Sequence, residues 1–531
     1  MGAEPIAVRA PGTVAPAAHG APAARNLTRR ASLNAVASLL DYFTKAGVSL
    51  VVTPLLVSGL GRSLFGIWEM LSQLTNYLSP ADARPSEALR LIIAQRQTDA
   101  HHAANRRSVG AALAVWLLML PLIATLGAVI AIFVAPALTH AGPGVRGAVQ
   151  LTTGLLALTF ILAALQDVPE SALSGMNLGY KRMGLQASIN ILHGALAVAA
   201  VWLGLGVAGL GMASVIRIVV TGIFFWLVAR RFVHWLGVDR PTWAEVKSLF
   251  GMSAWISLGE VTGKVLLASD LLVLGAVVSP AVVTTYVLTG YTTRLASGIH
   301  TFATGAAMPG IGGLLGAGRV ERAAQARREL HLLTWLFITV GGGTLLLWNH
   351  AFLARWVGAA DFAGPWVNLL LVLSAAQAAF IRNDSNVIDA ALRPRQRVMV
   401  AAAATVLTLG AMIVLTRLFG MIGLCAGLLA GRAVQSVAYP VLVRRALGRT
   451  GREPGTLLLV LRLGAVTAGV LAGGTALGAR LTAPSWPALL LGILATVPLL
   501  AGLALYAGAP GEVRRQLQRR IRALIPVGSV R

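Results

Sequence analysis

Apolar runs of about 20 residues recur along this chain, each long enough for a helix to cross a hydrocarbon core of about 30 Å. Short polar stretches separate them. The runs fall near 33–58, 64–80, 109–138, 148–174, 185–205, 208–229, 248–275, 281–310, 329–349, 366–392, 398–418, 420–443, 457–478 and 486–507. The pattern predicts an all-α polytopic membrane protein of about 14 transmembrane helices. The longest internal polar connection, 81–108, contains "ALRLIIAQ" (88–95), which reads as an amphipathic surface helix with its arginines on the wet side.

Charge follows the same alternation. Of the 44 Lys and Arg residues, 32 fall in every second connection or at the two ends, and the opposite connections hold only Arg62, Arg146, Arg355, Arg417 and Arg480. That bias marks the basic side as cytoplasmic and predicts both termini inside. A multi-pass protein of a bacterial inner membrane fits it. Charged residues make up 12% of the chain, against about 25% in soluble domains. The net charge of +25 is spread over short loops facing anionic lipid, so no nucleic-acid-binding domain is indicated. The single cysteine, Cys425, lies in a span and can form no intramolecular disulfide.

An internal repeat divides the spans. "DYFTK" (41–45) and "EVTGK" (260–264) each place a carboxylate four residues before a lysine, and "TPLLVSGLGRSLFGIW" (53–68) parallels "LLVLGAVVSPAVVTTYV" (271–287). The offset spans six helices, an even number, so the halves share orientation. The expected organisation is a disordered lead over 1–30, an N-lobe over 31–240, a C-lobe over 241–450, two extra spans over 451–507 and a basic tail over 508–531. In the tail, Val513, Leu517, Ile521 and Leu524 at helical spacing point to a surface helix on the inner leaflet.

"GLGRSLFGIW" (59–68), "ALRLIIAQ", "SDLLVLGAVVSPAVVTTYVLTGY" (269–291) and "MPGIGGLLGAGR" (308–319) resemble the polysaccharide-biosynthesis, O-antigen-type flippases of the multidrug/oligosaccharidyl-lipid/polysaccharide superfamily. The resemblance covers most of 33–330. The chain departs from it after span 2, where "SPADARPSEALR" (79–90) replaces a Gly-rich turn. The resemblance implies two six-helix lobes around a central cavity and movement of a polyprenyl-diphosphate-linked sugar to the outer face. It implies a non-enzymatic transporter, without cofactor, whose partners are membrane lipids and polysaccharide polymerase or export machinery. The expected unit is a monomer.

An ionisable side chain at mid-bilayer costs about 2.5–3.5 kcal/mol on insertion scales, so it faces a cavity or a partner. Lys45, Arg217, Lys264, Arg294, Arg382 and Arg432 are the deep bases, against Asp41, Glu260 and Asp384 as deep acids. The surplus of positive charge suits a compact polyanion such as a diphosphate, which guanidinium groups grip with paired donors. The six bases are the substrate-binding candidates, and the three acids the ion-coupling candidates. Asp41–Lys45 and Glu260–Lys264 lie four apart on one helix face and can neutralise themselves. Arg217, Arg294 and Arg432 have no such neighbour. Asp167, Glu170 and Asp389 sit near the inner face and read as loop anchors; Arg462, near the same boundary, reads as snorkelling.

Several patterns carry no chemistry. "GLGVAG" (204–209) joins two spans and follows no strand, so it is a tight turn rather than a nucleotide fingerprint. His101 and His102 lack the further ligands of a metal site. Three alternatives stay open: a drug or metabolite exporter of the same architecture, which favours an acidic cavity; a membrane glycosyltransferase or polymerase, which the short loops disfavour; and a structural component of an envelope assembly.

Overall fold

The computed structural model describes residues 21–78, 85–96, 102–305, 307–391, 394–448 and 456–508, with Gly511 and Arg514. Its α-helices run in the order α1 (Ala21–Thr75), α2 (Pro85–Gln95), α3 (His102–Val129), α4 (Ala135–Leu138), α5 (Pro143–Gly175), α6 (Tyr180–Trp202), α7 (Gly206–Phe232), α8 (Trp243–Val277), α9 (Pro280–Thr289), α10 (Tyr291–Gly305), α11 (Met308–Gly316), α12 (Val320–Phe337), α13 (Gly343–Trp356), α14 (Pro365–Ala390), α15 (Pro394–Ala446), α16 (Thr456–Gly478) and α17 (Trp486–Leu503). Among the described residues, ten helical segments are long and apolar enough to cross a membrane. The protein is an all-α polytopic membrane protein.

Helix boundaries differ from the apolar runs for local reasons. Spans 1 and 2 form one continuous assignment, α1, interrupted at Gly61 (φ 75°), and spans 11 and 12 form α15, interrupted at Gly420 (φ 58°). Glycine adopts those angles without a Cβ clash, so two spans are joined with no loop at all. In α15 the two arms then pack closely. Gly423, Gly427 and Gly431, four residues apart, lie against the backbone of Leu415, Met412 and Thr408, and a side chain on any of them would collide. Span 8 is broken instead of continuous, with α9 ending at Gly290. The carbonyl of Thr289, released by that break, accepts from the Asn349 amide at 2.9 Å, which also donates to Asn368 Oδ1 at 2.8 Å. A buried amide pair thus satisfies backbone that lipid could not.

Helix α1 begins at Ala21; residues 1–20 of the expected lead lie outside the described set, as does most of the tail beyond 508. The helix around "ALRLIIAQ" is present as α2, but its apolar face is not laid on lipid. Ala88, Leu89 and Ile93 are fully buried against α3, α5 and α8, while Arg90 stays exposed and pairs with Glu87 at 2.7 Å. "GLGVAG" is the turn between α6 and α7, with Gly204 and Gly206 at positive φ. Glu170 pairs with Arg182, and Asp389 with Arg397 at 2.7 Å, so both carboxylates anchor connections. Arg462 donates to the Ala507 carbonyl at 2.6 Å.

Helices α1, α5, α6 and α7 pack on one another, with α2 and α3 against α5; α14 packs on α15, and α13 on α16 and α17. The two segments matched in the repeat meet: Thr284 donates to the Arg62 carbonyl at 2.6 Å, and Gly66 abuts the Pro280 carbonyl. Arg62 also pairs with the buried Asp361 at 2.7 Å. Along α1 the contacts repeat every turn. Tyr42 donates to Leu295 O at 2.6 Å, Ala46 O accepts from Tyr291 at 3.2 Å, and Leu50 O accepts from Trp356 at 2.6 Å. One stripe of α1 is therefore committed to α10 and α13.

Candidate functional site

The other stripe of α1 faces a cavity. Lys45, Val48 and Val52 line it, and the second arm of α1 returns past Gly61 to add Phe65, Trp68 and Glu69; α6 completes it with Asn190 and His193. Its volume is about 260 Å³. Lys45 forms an ion pair with Asp41 at 2.7 Å, and Asn190 donates to the same carboxylate at 3.0 Å. The lysine is thus neutralised on its own helix, while its ammonium still borders the cavity. Arg217, on α7, acts electrostatically on His193 across this site.

A second group of charges lies where α1, α8, α10 and α15 meet. Glu69 is within electrostatic reach of Arg294. The Arg294 guanidinium also donates to the Val287 carbonyl, near the break in span 8. Asp270 accepts from the Tyr286 hydroxyl at 3.1 Å and faces Arg432, which is 7% exposed. Arg432 in turn feels Arg382. Cation and anion alternate from Glu69 to Arg432, beyond which Arg382 adds a second cation, and no carboxylate lies within 4 Å of Arg217, Arg294, Arg382 or Arg432 among the described residues. Opposite charges at that remove attract without saturating one another, which leaves guanidinium donors open to a ligand.

Five of the six predicted cations therefore gather in one region. The side chains of Lys264 and Glu260 lie outside the described residues. Asp384 stands apart: it is 2% exposed, and its Oδ1 accepts from Arg327 at 2.7 Å and His331 at 3.0 Å, both on α12. That carboxylate is saturated by neighbours near the C-terminal end of α14, and it does not line the cavity.

Two acids in the region were passed over in the sequence, Glu69 and Asp270. Both lie inside apolar runs, which was the signal that should have flagged them. Including them cuts the surplus of deep cations from three to one. The cavity is a mixed-charge site.

Solved structures share this fold. The lipid II flippase MurJ in an inward closed conformation superimposes with a TM-score of 0.65 at 10% identity, covering 91% of this chain and 100% of that one. The chain has the fold of these transporters. An inward-facing multidrug resistance MATE family transporter of the MOP superfamily gives a TM-score of 0.57 at 16% identity, over 76% of this chain and 96% of its own. A mutant of the Vibrio cholerae MATE transporter VcmN gives 0.55 at 16% identity, over 80% and 98%. No protein-family model matches the sequence, and neither does any curated protein. At these identities the likeness is one of fold.

Proposed function

We propose that this protein is a flippase that carries a polyprenyl-diphosphate-linked oligosaccharide from the inner to the outer leaflet by alternating access, as a non-enzymatic step in cell-surface polysaccharide export. One observation carries the proposal: no carboxylate pairs with Arg294 of α10 or with the buried Arg432 of α15 among the described residues. An uncompensated guanidinium there is costly, and a diphosphate that replaces its lost water offsets the cost. The coverage supports a lipid carrier too, since the MurJ match extends over a larger part of this chain than the MATE matches do. Lys45 borders the cavity, and Arg217 acts on His193 of its wall. The protein acts as a monomer with both termini in the cytoplasm of the bacterial inner membrane, and it hands its cargo to polymerase or export machinery.

Reconstitution into liposomes with a fluorescent polyprenyl-diphosphate sugar, scoring leaflet transfer, tests this directly. Wild type should transfer the lipid, and Arg294→Ala should abolish transfer with folding intact. Equal transfer by both removes the proposal.

A drug exporter is the second reading, favoured by Glu69 on the cavity wall. It expects uptake of cationic dyes that stops in Glu69→Gln. Asp41 and Glu69 are then the carboxylates that take up the coupling ion. Asp384, saturated by α12, is the weakest of the original ion-coupling candidates. Transport indifferent to pH gradient, sodium and membrane potential would exclude ion coupling under either reading.

A further inference from the structure

At the end of the molecule that loop charge marks as cytoplasmic, the cations of the N-lobe are treated in two ways. Arg90, Arg106, Arg107 and Arg182 each pair with an acid: Glu87, Asp239, Glu245 and Glu170. Lys181, in the first turn of α6, and Arg230 and Arg231, in the last turn of α7, do not. All three are exposed, and among the described residues none of their side chains has a carboxylate within 4 Å or a hydrogen bond. Aromatic rings stand where acids would. Lys181 Nζ lies 4.7 Å from the Phe232 ring centroid and 5.3 Å from that of Tyr180, and the Arg230 guanidinium lies 5.1 Å from the Trp226 ring. A ring face holds a cation in place without cancelling its charge. The Lys181–Phe232 contact also joins the start of α6 to the end of α7, so the three charges form one group.

That group caps an apolar seam. On α7, Val219, Ile223, Leu227 and Arg231 recur every four residues, so one stripe leads to the charge. On α6, Gly184, Ser188, Ile191 and Leu192 share the face of Lys181 at helical spacing. The five apolar side chains of the two stripes are 43–58% exposed, and the helices that carry them pack on each other. Gly184, one turn from Lys181, has open space where a Cβ would stand, which leaves a notch beside the ammonium. The far end of the seam, the turn over residues 202–206, carries no charge. The seam therefore has one cationic end and one apolar length. The opposite face of α6 presents Asn190, His193 and Ala197 to the cavity.

We infer that this seam is a binding site for an anionic phospholipid of the surrounding leaflet, with phosphate on Lys181, Arg230 and Arg231 and acyl chains along Ile191, Ile223 and Leu227. Basic groups between spans at this face suit phosphorylated headgroups. Three uncancelled cations exceed the charge of a single phosphodiester, so a lipid with two, such as diphosphatidylglycerol, matches the group best. A free phosphate ion would use the cations and leave the apolar length unused; the lipid uses both. The occupant is a resident of the bilayer and not the cargo, because it sits on the outer face of a helix whose other face walls the cavity. Seated there, it braces α6 behind His193. The site stands whatever the cavity carries.

The test uses the full-length protein in neutral detergent, offered equal amounts of diphosphatidylglycerol, phosphatidylglycerol and phosphatidylcholine, with bound lipid counted by native mass spectrometry. Wild type should retain diphosphatidylglycerol about tenfold over phosphatidylcholine, with phosphatidylglycerol between them. Each cation near an anionic headgroup is worth roughly fivefold, so the combined Lys181→Gln, Arg230→Gln and Arg231→Gln variant should lose that preference. A control that removes the same charge from exposed positions elsewhere, Arg319→Gln, Arg322→Gln and Arg395→Gln, should keep it. If the first triple variant does not elute as a folded species, Lys181→Gln alone should weaken retention about fivefold, and Lys181→Arg should restore it. Gly184→Leu, which fills the notch and leaves every charge in place, should also reduce retention. Equal losses in the two triple variants, equal retention of phosphatidylcholine by wild type, or displacement of the lipid by millimolar inorganic phosphate would overturn the assignment. Leaflet transfer is not part of the readout, so failure of the flippase reading leaves this result standing.

Discussion

Two cavities among the described residues, on opposite sides of the α1–α10 contact, differ in size and in charge. The one against α1 and α6 is about 260 Å³ and has Lys45, Glu69, Asn190 and His193 on its walls; the one against α14 is about 70 Å³ and carries its single charge at one end. Charges that share a roomy site can keep water and lean on one another at a distance. The second space has far less room, and Thr293, Ser297, His300 and Thr301 of α10 give it one polar wall. The roomier site, with charges of both signs on its walls, is the one proposed above to take a polar headgroup.

The largest expected effect falls on the charges between the two cavities. Arg432 is buried within electrostatic reach of Asp270 without being paired to it, and removing the guanidinium leaves that carboxylate without its neighbouring cation, at about 1–3 kcal/mol. Arg432→Ala should lower the melting temperature in detergent and abolish leaflet transfer. Adding Asp270→Asn should restore the melting temperature without restoring transfer. If the double variant transfers lipid as wild type does, the guanidinium is structural only, and the division between the cavities loses its link.

Glu69 sharpens the comparison from the other side. A carboxylate on the wall of a site meant for a polyanion repels it, and about 1 kcal/mol of repulsion corresponds to roughly fivefold in affinity. Glu69→Gln should therefore tighten inorganic diphosphate binding about fivefold by calorimetry. Weaker diphosphate binding would mean that Glu69 organises Arg294 instead of opposing the ligand.

Much of this layout could be read along the chain, and the limits have physical causes. Apolar runs and loop charge are local properties, so the spans, α2 and the turn at Gly204–Gly206 were legible. The reversal at Gly61 was not, because "GLGRS" looks like a short loop and only its backbone angles reveal two helices joined directly. The face of α2 was misjudged for a related reason: a buried apolar stripe looks the same whether lipid or protein covers it. Glu69 and Asp270 were in plain view, but the tally of positive charge drew attention from acids inside runs. Nothing in sequence order could bring Ala379, Gly341 and Thr293 to the walls of one cavity, since that juxtaposition is made by helix packing.

The outer seam gives a smaller effect. Arg62 and Asp361 close it together with the Thr284 bond, and Arg62 is about half exposed, so the pair contributes at most about 1 kcal/mol. Asp361→Asn should raise outside labelling of a cysteine placed at Leu60 about threefold, in a chain whose native Cys425 is buried. No change would mean that the aromatic and hydroxyl bonds along α1 hold the seam alone. The two cavities would then be separated by α1 packing and not by an ionic latch.

The smallest effect lies at the start of α8, the helix that joins the two regions. Its first turn packs on α2 and α3, and its last residues on α15 and α1. Thr242 and Glu245 form a capping box there, and Glu245 also pairs with Arg107 of α3 at 3.0 Å. The backbone N–H of Thr242, and then Arg107, hold the Glu245 carboxyl below its ordinary value of 4.5. A depressed carboxyl contributes stability in full above its unfolded value, and that contribution is lost as pH falls through the folded one. Glu245→Gln keeps a side chain able to close the box but removes the charge, so its cost at pH 7 should be a few tenths of a kcal/mol at this exposed site. The difference in melting temperature from wild type should shrink as pH drops below about 4. Thr242→Ala, which removes the cap itself, should cost about 1 kcal/mol, and part of that cost should persist in acid because the hydroxyl does not titrate. A Glu245→Gln penalty that stays constant down to pH 3 would show that the Arg107 contact is packing rather than charge. Helix α8 would then be fastened to α3 by shape, and that contact would be insensitive to acid.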